Sequence, residues 1–160
     1  MNQLQTIQNK IVSWEDAQKI VSSWKLQSES IVFTNGCFDI IHKGHVFYLA
    51  KARDLGSKLI VGLNTDESVS RLKGPKRPVK ELESRALTLA AFSCIDLIVP
   101  FGEETPLELI SLLIPNILVK GSDYEIKDIV GADVVLSNGG KVETIDFVTG
   151  FSSTNYFNKI

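Results

Sequence analysis

Five short apolar runs divide the chain: "IVFTN" (31–35), "KLIVGLN" (58–64), "IDLIVPF" (95–101), "NILVK" (116–120) and "KVETID" (141–146). They are short and continuously apolar, the signature of strands buried on both faces of a sheet. Gly36 follows the first run, and Pro100 is expected to stop the third. Between them the spacing turns helical. Ala17, Ile20, Val21 and Trp24 share one face of 14–26, and Tyr48, Ala52 and Leu55 repeat along 44–55 until Gly56. Residues 66–72 and 81–92 predict two more helices, separated by the basic loop "KGPKRPV" with Pro75 and Pro78. Thr105 and Pro106 open a helix whose buried stripe is Leu107, Ile110, Leu113 and Ile114. Residues 129–137 predict a short helix ended by "NGG", and 152–160 predict a last one.

Strands alternating with helices imply an α/β fold, a Rossmann-like five-stranded parallel sheet with helices on both faces. The chain is expected to be one domain over 1–160, with 1–29 as an N-terminal helical extension. In such sheets a ligand sits beyond the carboxyl ends of the strands, where the strand order reverses. Right-handed crossovers bring the loops after the first and fourth strands together there. Those loops are "GCFDIIHKGH" and "KGSDY".

Composition narrows the function. A net charge of −2 argues against a general nucleic-acid binder. No run of 18 apolar residues predicts a membrane span, and the first residues show no apolar leader. Two cysteines, Cys37 and Cys94, make no disulfide framework, which fits a reducing cytoplasm.

The stretch "TNGCFDIIHKGH" (34–45) holds both histidines of the chain. Three chemistries compete for it. Cys37, Asp39, His42 and His45 could ligate zinc, but a helix start falls between the histidines and the spacing is not that of a zinc site. Cys37 near two imidazoles is also a nucleophile on paper, although nearness in sequence does not create a hydrogen bond. The phosphate reading draws on more of the chain. Gly44 permits close backbone approach, and the helix beginning there aims free N–H groups at the pocket. His42 and His45 add imidazole donors, and Lys120 and the run Lys73, Lys76, Arg77 add cations. A second helix start, "GFSSTN" (150–155), offers Ser152, Ser153 and Thr154, with ordinary N-capping as its alternative.

These residues carry a resemblance. "TNGCFDIIHKGH" resembles the HxGH signature of the nucleotidylyltransferase superfamily, and "GFSSTN" resembles its late serine/threonine motif. "KIVSWEDAQKIV", "VGLNTDESVSRLKGPKRPV", "ESRALTLAAFSCIDLIVPFGEETP", "ILVKGSDY" and "SNGGKVETIDF" are similar to the adenylyltransferase half of bacterial ADP-heptose synthases. The resemblance spans the chain from about Lys10 onward. It implies transfer from ATP to D-glycero-β-D-manno-heptose 1-phosphate, giving ADP-heptose and pyrophosphate for the lipopolysaccharide inner core. It further implies a stand-alone form served by a separate sugar kinase, a cytoplasmic location and a homodimer. Mg²⁺ would travel with the ATP phosphates, with no metal held by protein alone. A cytidylyltransferase for a polyol phosphate and a non-catalytic nucleotide-binding module are the rival readings.

Under this resemblance His42, His45 and Lys120 are the catalytic residues. Thr34, Asn35, Gly36, Phe38, Gly44, Gly121, Asp123, Ser152, Ser153 and Thr154 bind nucleotide and phosphate, and Tyr124 helps shape that site. Asp39, Lys73, Arg77 and Arg85 are assigned to the substrate. For Asp39 the alternative is a turn cap; for Lys73 and Arg77 it is solvated loop charge, and for Arg85 an outer-face helix arginine. Phe151, Ser153, Tyr156 and Phe157 depart from the family pattern, which has a smaller residue, threonine and aliphatics there.

Overall fold

A computed structural model describes residues 1–159. Its five strands, β1 (Ile31–Gly36), β2 (Lys58–Asn64), β3 (Leu97–Phe101), β4 (Ile117–Gly121) and β5 (Lys141–Ile145), form one sheet in the order β3-β2-β1-β4-β5. Every pairing is parallel. The order reverses between β1 and β4, so the loops after these two strands are neighbours at the carboxyl edge.

The period-two alternation of a strand sorts its side chains onto two cores. Ile31 and Phe33 of β1, Ile60 of β2 and Leu118 of β4 join one core with Ala17 and Val21 of α2 (Trp14–Leu26). Leu109 and Leu113 of α6 (Leu107–Leu113) and Val135 of α7 (Ala132–Ser137) complete it. Val32, Leu59, Val61 and Val119 point the other way. There they pack with Leu49 and Ala52 of α3 (Lys43–Asp54) and with Ala86 and Leu89 of α5 (Leu82–Ala90). Helices therefore cover both faces, as the apolar runs required.

The elements missed or mislaid have local causes. Helix α1 (Gln3–Gln8) has no apolar periodicity to reveal it; a reciprocal cap between Asn2 and Gln5 starts it. After it the chain runs beside β3, where Ile98 donates to the Lys10 carbonyl and accepts from Val12 N–H. Residues 10–12 thus cover part of a sheet edge that would otherwise stand open. Pro100 does not stop β3, which continues to Phe101. Proline is tolerated in an edge strand, and its carbonyl still accepts from Trp14 Nε1 at 2.8 Å. The helix expected over 129–137 begins only at Ala132. Gly131, at φ 86°, breaks the chain there, and a 3₁₀ turn over Ile126–Asp128 precedes it. Helix α4 spans Asp66–Lys73 and α8 spans Ser153–Phe157; position 160, the last residue of the expected final helix, lies outside the described residues. Among the described residues no helix is long and apolar enough to cross a membrane.

Candidate active site

A cavity of about 650 Å³ opens at the carboxyl ends of β1 and β4. Helix α3 begins on its wall. His42 is the N-cap, with extended backbone, and its Nδ1 accepts from the Gly44 amide at 3.1 Å. His45 is the third helical residue, and its Nδ1 accepts from the His42 amide at 3.3 Å. The pair forms a capping box in which imidazole nitrogens do the work usually done by a hydroxyl and a carboxylate. This explains the spacing of three: N-cap and N3 are the two positions whose side chains can reach each other's backbone.

The caps also fix the chemistry. A neutral imidazole whose Nδ1 accepts carries its proton on Nε2. Both histidines are neutral at pH 7. Burial lowers the pKa of His42, and burial, then His42 and Lys73, push His45 down to about 4. Their rings lie 3.9 Å apart, and His45 rests 5.2 Å from the ring of Phe38. The result is two adjacent Nε2–H donors that bring no positive charge of their own. Gly44 cannot be larger, since a Cβ there would meet the His42 ring at 2.9 Å.

The facing wall comes from β4. Lys120 lies in the cavity wall with its ammonium 5.4 Å from the Tyr124 ring. Burial lowers its pKa, while Asp123 on the same wall pulls in the opposite direction. Gly121 is bare because a Cβ would strike the Phe147 ring and an Asp123 oxygen. The third wall is the loop before α8, where Ser152 caps the helix by accepting from Asn155 N–H at 3.0 Å. Ser153 donates instead to the Ile40 carbonyl at 3.3 Å, tying α8 to the histidine loop.

His42, Gly44, His45, Lys120, Gly121, Asp123, Asn35, Gly36, Phe38, Ser152, Ser153, Thr154 and Lys73 all line this cavity. Asn35 presents a buried Oδ1 with no partner among the described residues, an acceptor suited to a ligand's donor. Cys37 also lines it; burial raises its pKa, so the thiol stays protonated at neutral pH.

Four expected residues are engaged elsewhere. Thr34 is fully buried and donates to Tyr48 Oη at 2.8 Å; that hydroxyl donates onward to the Val119 carbonyl. Asp39, expected at the substrate, is also fully buried. It accepts from the amides of Val79 and Lys80 and from Arg77 Nε at 2.5 Å. Burial pushes the Asp39 carboxyl up, but these donors outweigh it and hold it below the usual carboxylate range. Arg77 is therefore anchored in the interior, and the loop after α4 is tied down at Arg77, Val79 and Lys80. Arg85, far from being an outer-face arginine, is 1% exposed. It donates to the carbonyls of Cys37, Asn64 and Lys80 and to the Asp66 carboxylate. It fastens together the loop after β1, the end of β2 and the start of α4. These are framing contacts, and only Lys73 of the four substrate-assigned residues reaches the cavity.

Two contributors escaped sequence reasoning. Tyr48 lines the cavity and links α3 to β1 and β4; its position three residues after His45 places it on the same helix face and was the available signal. Phe147 and its neighbours to Phe151 form the third wall from a loop with no periodicity to betray it. Among the described residues no three His, Cys, Asp or Glu side chains gather as a metal cage. A divalent cation would find the single carboxylate of Asp123 and whatever phosphates a ligand brings, a donor set suited to an ion carried on nucleotide phosphates.

Paired neutral donors, a half-buried lysine and two helix starts surround a cleft at the switch point, an arrangement suited to holding nucleotide phosphates. The match with known proteins is specific: the model of the cytidylyltransferase-like family covers residues 33–149, and the chain belongs to that family. It is 51% identical over 145 residues to the bifunctional protein HldE of Azorhizobium caulinodans, which covers 91% of this chain and 30% of that protein. With HldE of Syntrophotalea carbinolica the identity is 52% over 152 residues, 95% of this chain and 31% of the relative. The chain thus spans about a third of the length of these curated relatives. Among solved structures, a lipopolysaccharide core biosynthesis protein from Thermoplasma volcanium aligns at 25% identity and a TM-score of 0.60, over 75% of this chain and 97% of that one. Pantoate-beta-alanine ligase from Francisella tularensis shares the fold at a TM-score of 0.69, over 92% of this chain and 72% of its own.

Proposed function

We propose that the chain joins ATP to D-glycero-β-D-manno-heptose 1-phosphate, releasing pyrophosphate and ADP-heptose. The observation that carries the substrate is the continuous likeness to the adenylyltransferase half of ADP-heptose synthases, with HldE proteins about half identical over more than nine-tenths of this chain. The site supports the reaction type. A sugar phosphate has its second pKa near ~6 and is ionised at neutral pH, so no general base is required. One of its oxygens attacks the α-phosphorus of ATP, and the bond to the bridging oxygen of the departing pyrophosphate breaks. What remains for the protein is alignment and stabilisation of charge on the transferring phosphorus and leaving group.

His42 and His45 supply Nε2–H donors held by the capping box, and Lys120 supplies the cation. The N-terminus of α3 contributes the positive end of its dipole, and Thr154 and Lys73 also line the cavity. Mg²⁺ carried on the triphosphate would neutralise part of its charge, and Asp123 is the carboxylate of the cavity lining that would help hold it. On this reading a sugar kinase supplies the phosphoryl group upstream, and the reaction belongs to the cytoplasm. The test is pyrophosphate release with ATP or CTP against a panel of sugar 1-phosphates and polyol phosphates. Turnover is expected with ATP and a heptose 1-phosphate. Turnover confined to CTP with a polyol phosphate, or nucleotide binding with no turnover on any acceptor, overturns the proposal.

A further inference from the structure

The last helix carries aromatic residues that no catalytic role above absorbs. Tyr156 lies flat against His42, with ring centroids 5.4 Å apart and planes 17° from parallel. Phe151 flanks the same imidazole at 6.2 Å and 29°. On Tyr156 a second group, the Lys159 ammonium, sits 5.6 Å from the ring centre. The next residue, Phe157, turns to the other side of α8 and lies 4.7 Å from the Arg77 guanidinium. With the bond from Ser153 to the Ile40 carbonyl, these contacts dock a five-residue helix that could not persist alone.

We propose that Tyr156 is a positioning residue for His42, its ring fixing the plane in which the imidazole presents Nε2–H to the phosphates. The hydrogen bond from Gly44 to Nδ1 decides which nitrogen faces the backbone, and the His45 ring 3.9 Å away, tilted by 30°, limits the swing about that bond without setting the plane. A flat partner on one face removes that freedom, and offset stacking is the geometry aromatic rings prefer. Stacking also withholds water from the imidazole and so keeps it neutral. Burial is what lowers the His42 pKa; of the charged groups around it, His45, Lys43, Lys73, Lys120 and Lys159 oppose a positive imidazole, and Asp123 on the β4 wall favours one. The Tyr156 hydroxyl has no hydrogen bond among the described residues, so the ring alone is required.

The kinetic consequence rests on the transferase reading above; the spectroscopic one does not. Tyr156→Phe should keep the wild-type kcat. Tyr156→Ala should lower kcat about five- to tenfold while the KM for ATP moves less than about twofold, because orientation and not binding is lost. In parallel, the His42 pKa, followed by NMR on the free protein without substrate, should rise by about 0.5 or more in Tyr156→Ala and stay put in Tyr156→Phe. If Ala undocks the helix, seen as chemical-shift changes throughout α8, Tyr156→Leu retains the bulk without the ring and is expected to show the same two losses. An unchanged His42 titration in the variants lacking the ring overturns the proposal whatever the substrate. So does a loss of kcat in Tyr156→Phe equal to that in Tyr156→Ala. If the titration shifts as expected but no acceptor is turned over by any form, positioning stands and the transferase reading falls.

Discussion

Replacing His45 separates its two duties. The residue accepts the His42 amide and, on the reading above, donates to phosphate. His45→Ala removes both. Loss of the capping acceptor should cost about 0.5–2 kcal/mol of folding stability. Loss of a transition-state donor should cost roughly 2.7–4 kcal/mol in the barrier, about a hundred- to a thousandfold in kcat. His45→Gln divides them, because glutamine at the third helical position closes a capping box with its side-chain carbonyl. Its amide cannot occupy the imidazole's place against Phe38, so stability should return while most of the lost kcat does not. Urea unfolding and initial rates of pyrophosphate release measure the two quantities on the same preparations, with ATP affinity from calorimetry as the control. Affinity should fall far less than kcat. Equal stability of the Ala and Gln variants would refute the capping account. A kcat for His45→Ala within threefold of wild type would refute the donor account, and stoichiometric zinc lost with the histidine would replace both.

Asp39→Ala should destabilise the protein by about 3–5 kcal/mol, since it strands the buried Arg77 guanidinium, and a denaturant midpoint shift near zero would show the pair to be dispensable. Because the Asp39 pKa is depressed, its stabilisation is complete above the unfolded carboxyl value of about 3.9 and is lost as pH falls through the lower folded value. Wild type should therefore lose more stability than Asp39→Asn on going from pH 5 to pH 3, as urea midpoints will show. Cys37→Ser should retain most activity, because the thiol is protonated and takes no covalent part; a fall of a thousandfold with folding intact, in the same rate assay, would contradict that. Tyr48→Phe removes the hydroxyl that joins Thr34 to the Val119 carbonyl and should cost about 1–3 kcal/mol by thermal or urea unfolding.

The alternation of apolar runs and amphipathic stretches was enough to read the parallel sheet, and with it the edge where the cleft lies. Burial on both faces leaves no other arrangement for runs such as 58–64. The cavity-lining histidines, glycines and Lys120 were legible for the same reason: they follow β1 and β4, and strand order brings those loops together. Partnerships between side chains distant in sequence were not legible. Nothing local in "KGPKRPV" marks Arg77 as 5% exposed and bonded to a carboxylate 38 residues earlier. Likewise Arg85 lies on a helix face that looks solvent-bound until the loops from Cys37 and Lys80 close over it. Helix α1 was silent because its capping, and no apolar stripe, defines it.

Those buried arginines change what the basic loop does for the site. A loop of free cations would have to close over its ligand and lose conformational freedom with every binding event. Here Asp39 and Arg85 have already fixed Arg77, Val79 and Lys80, so folding bears that cost. Lys73, at the last turn of α4, is then left beside the cavity on a backbone held from both ends. The histidines follow the same logic. Their spacing closes a capping box, and the box leaves each Nε2–H as the remaining donor. In both places the contacts that complete the fold are the contacts that aim the site, and no ligand is needed to organise it.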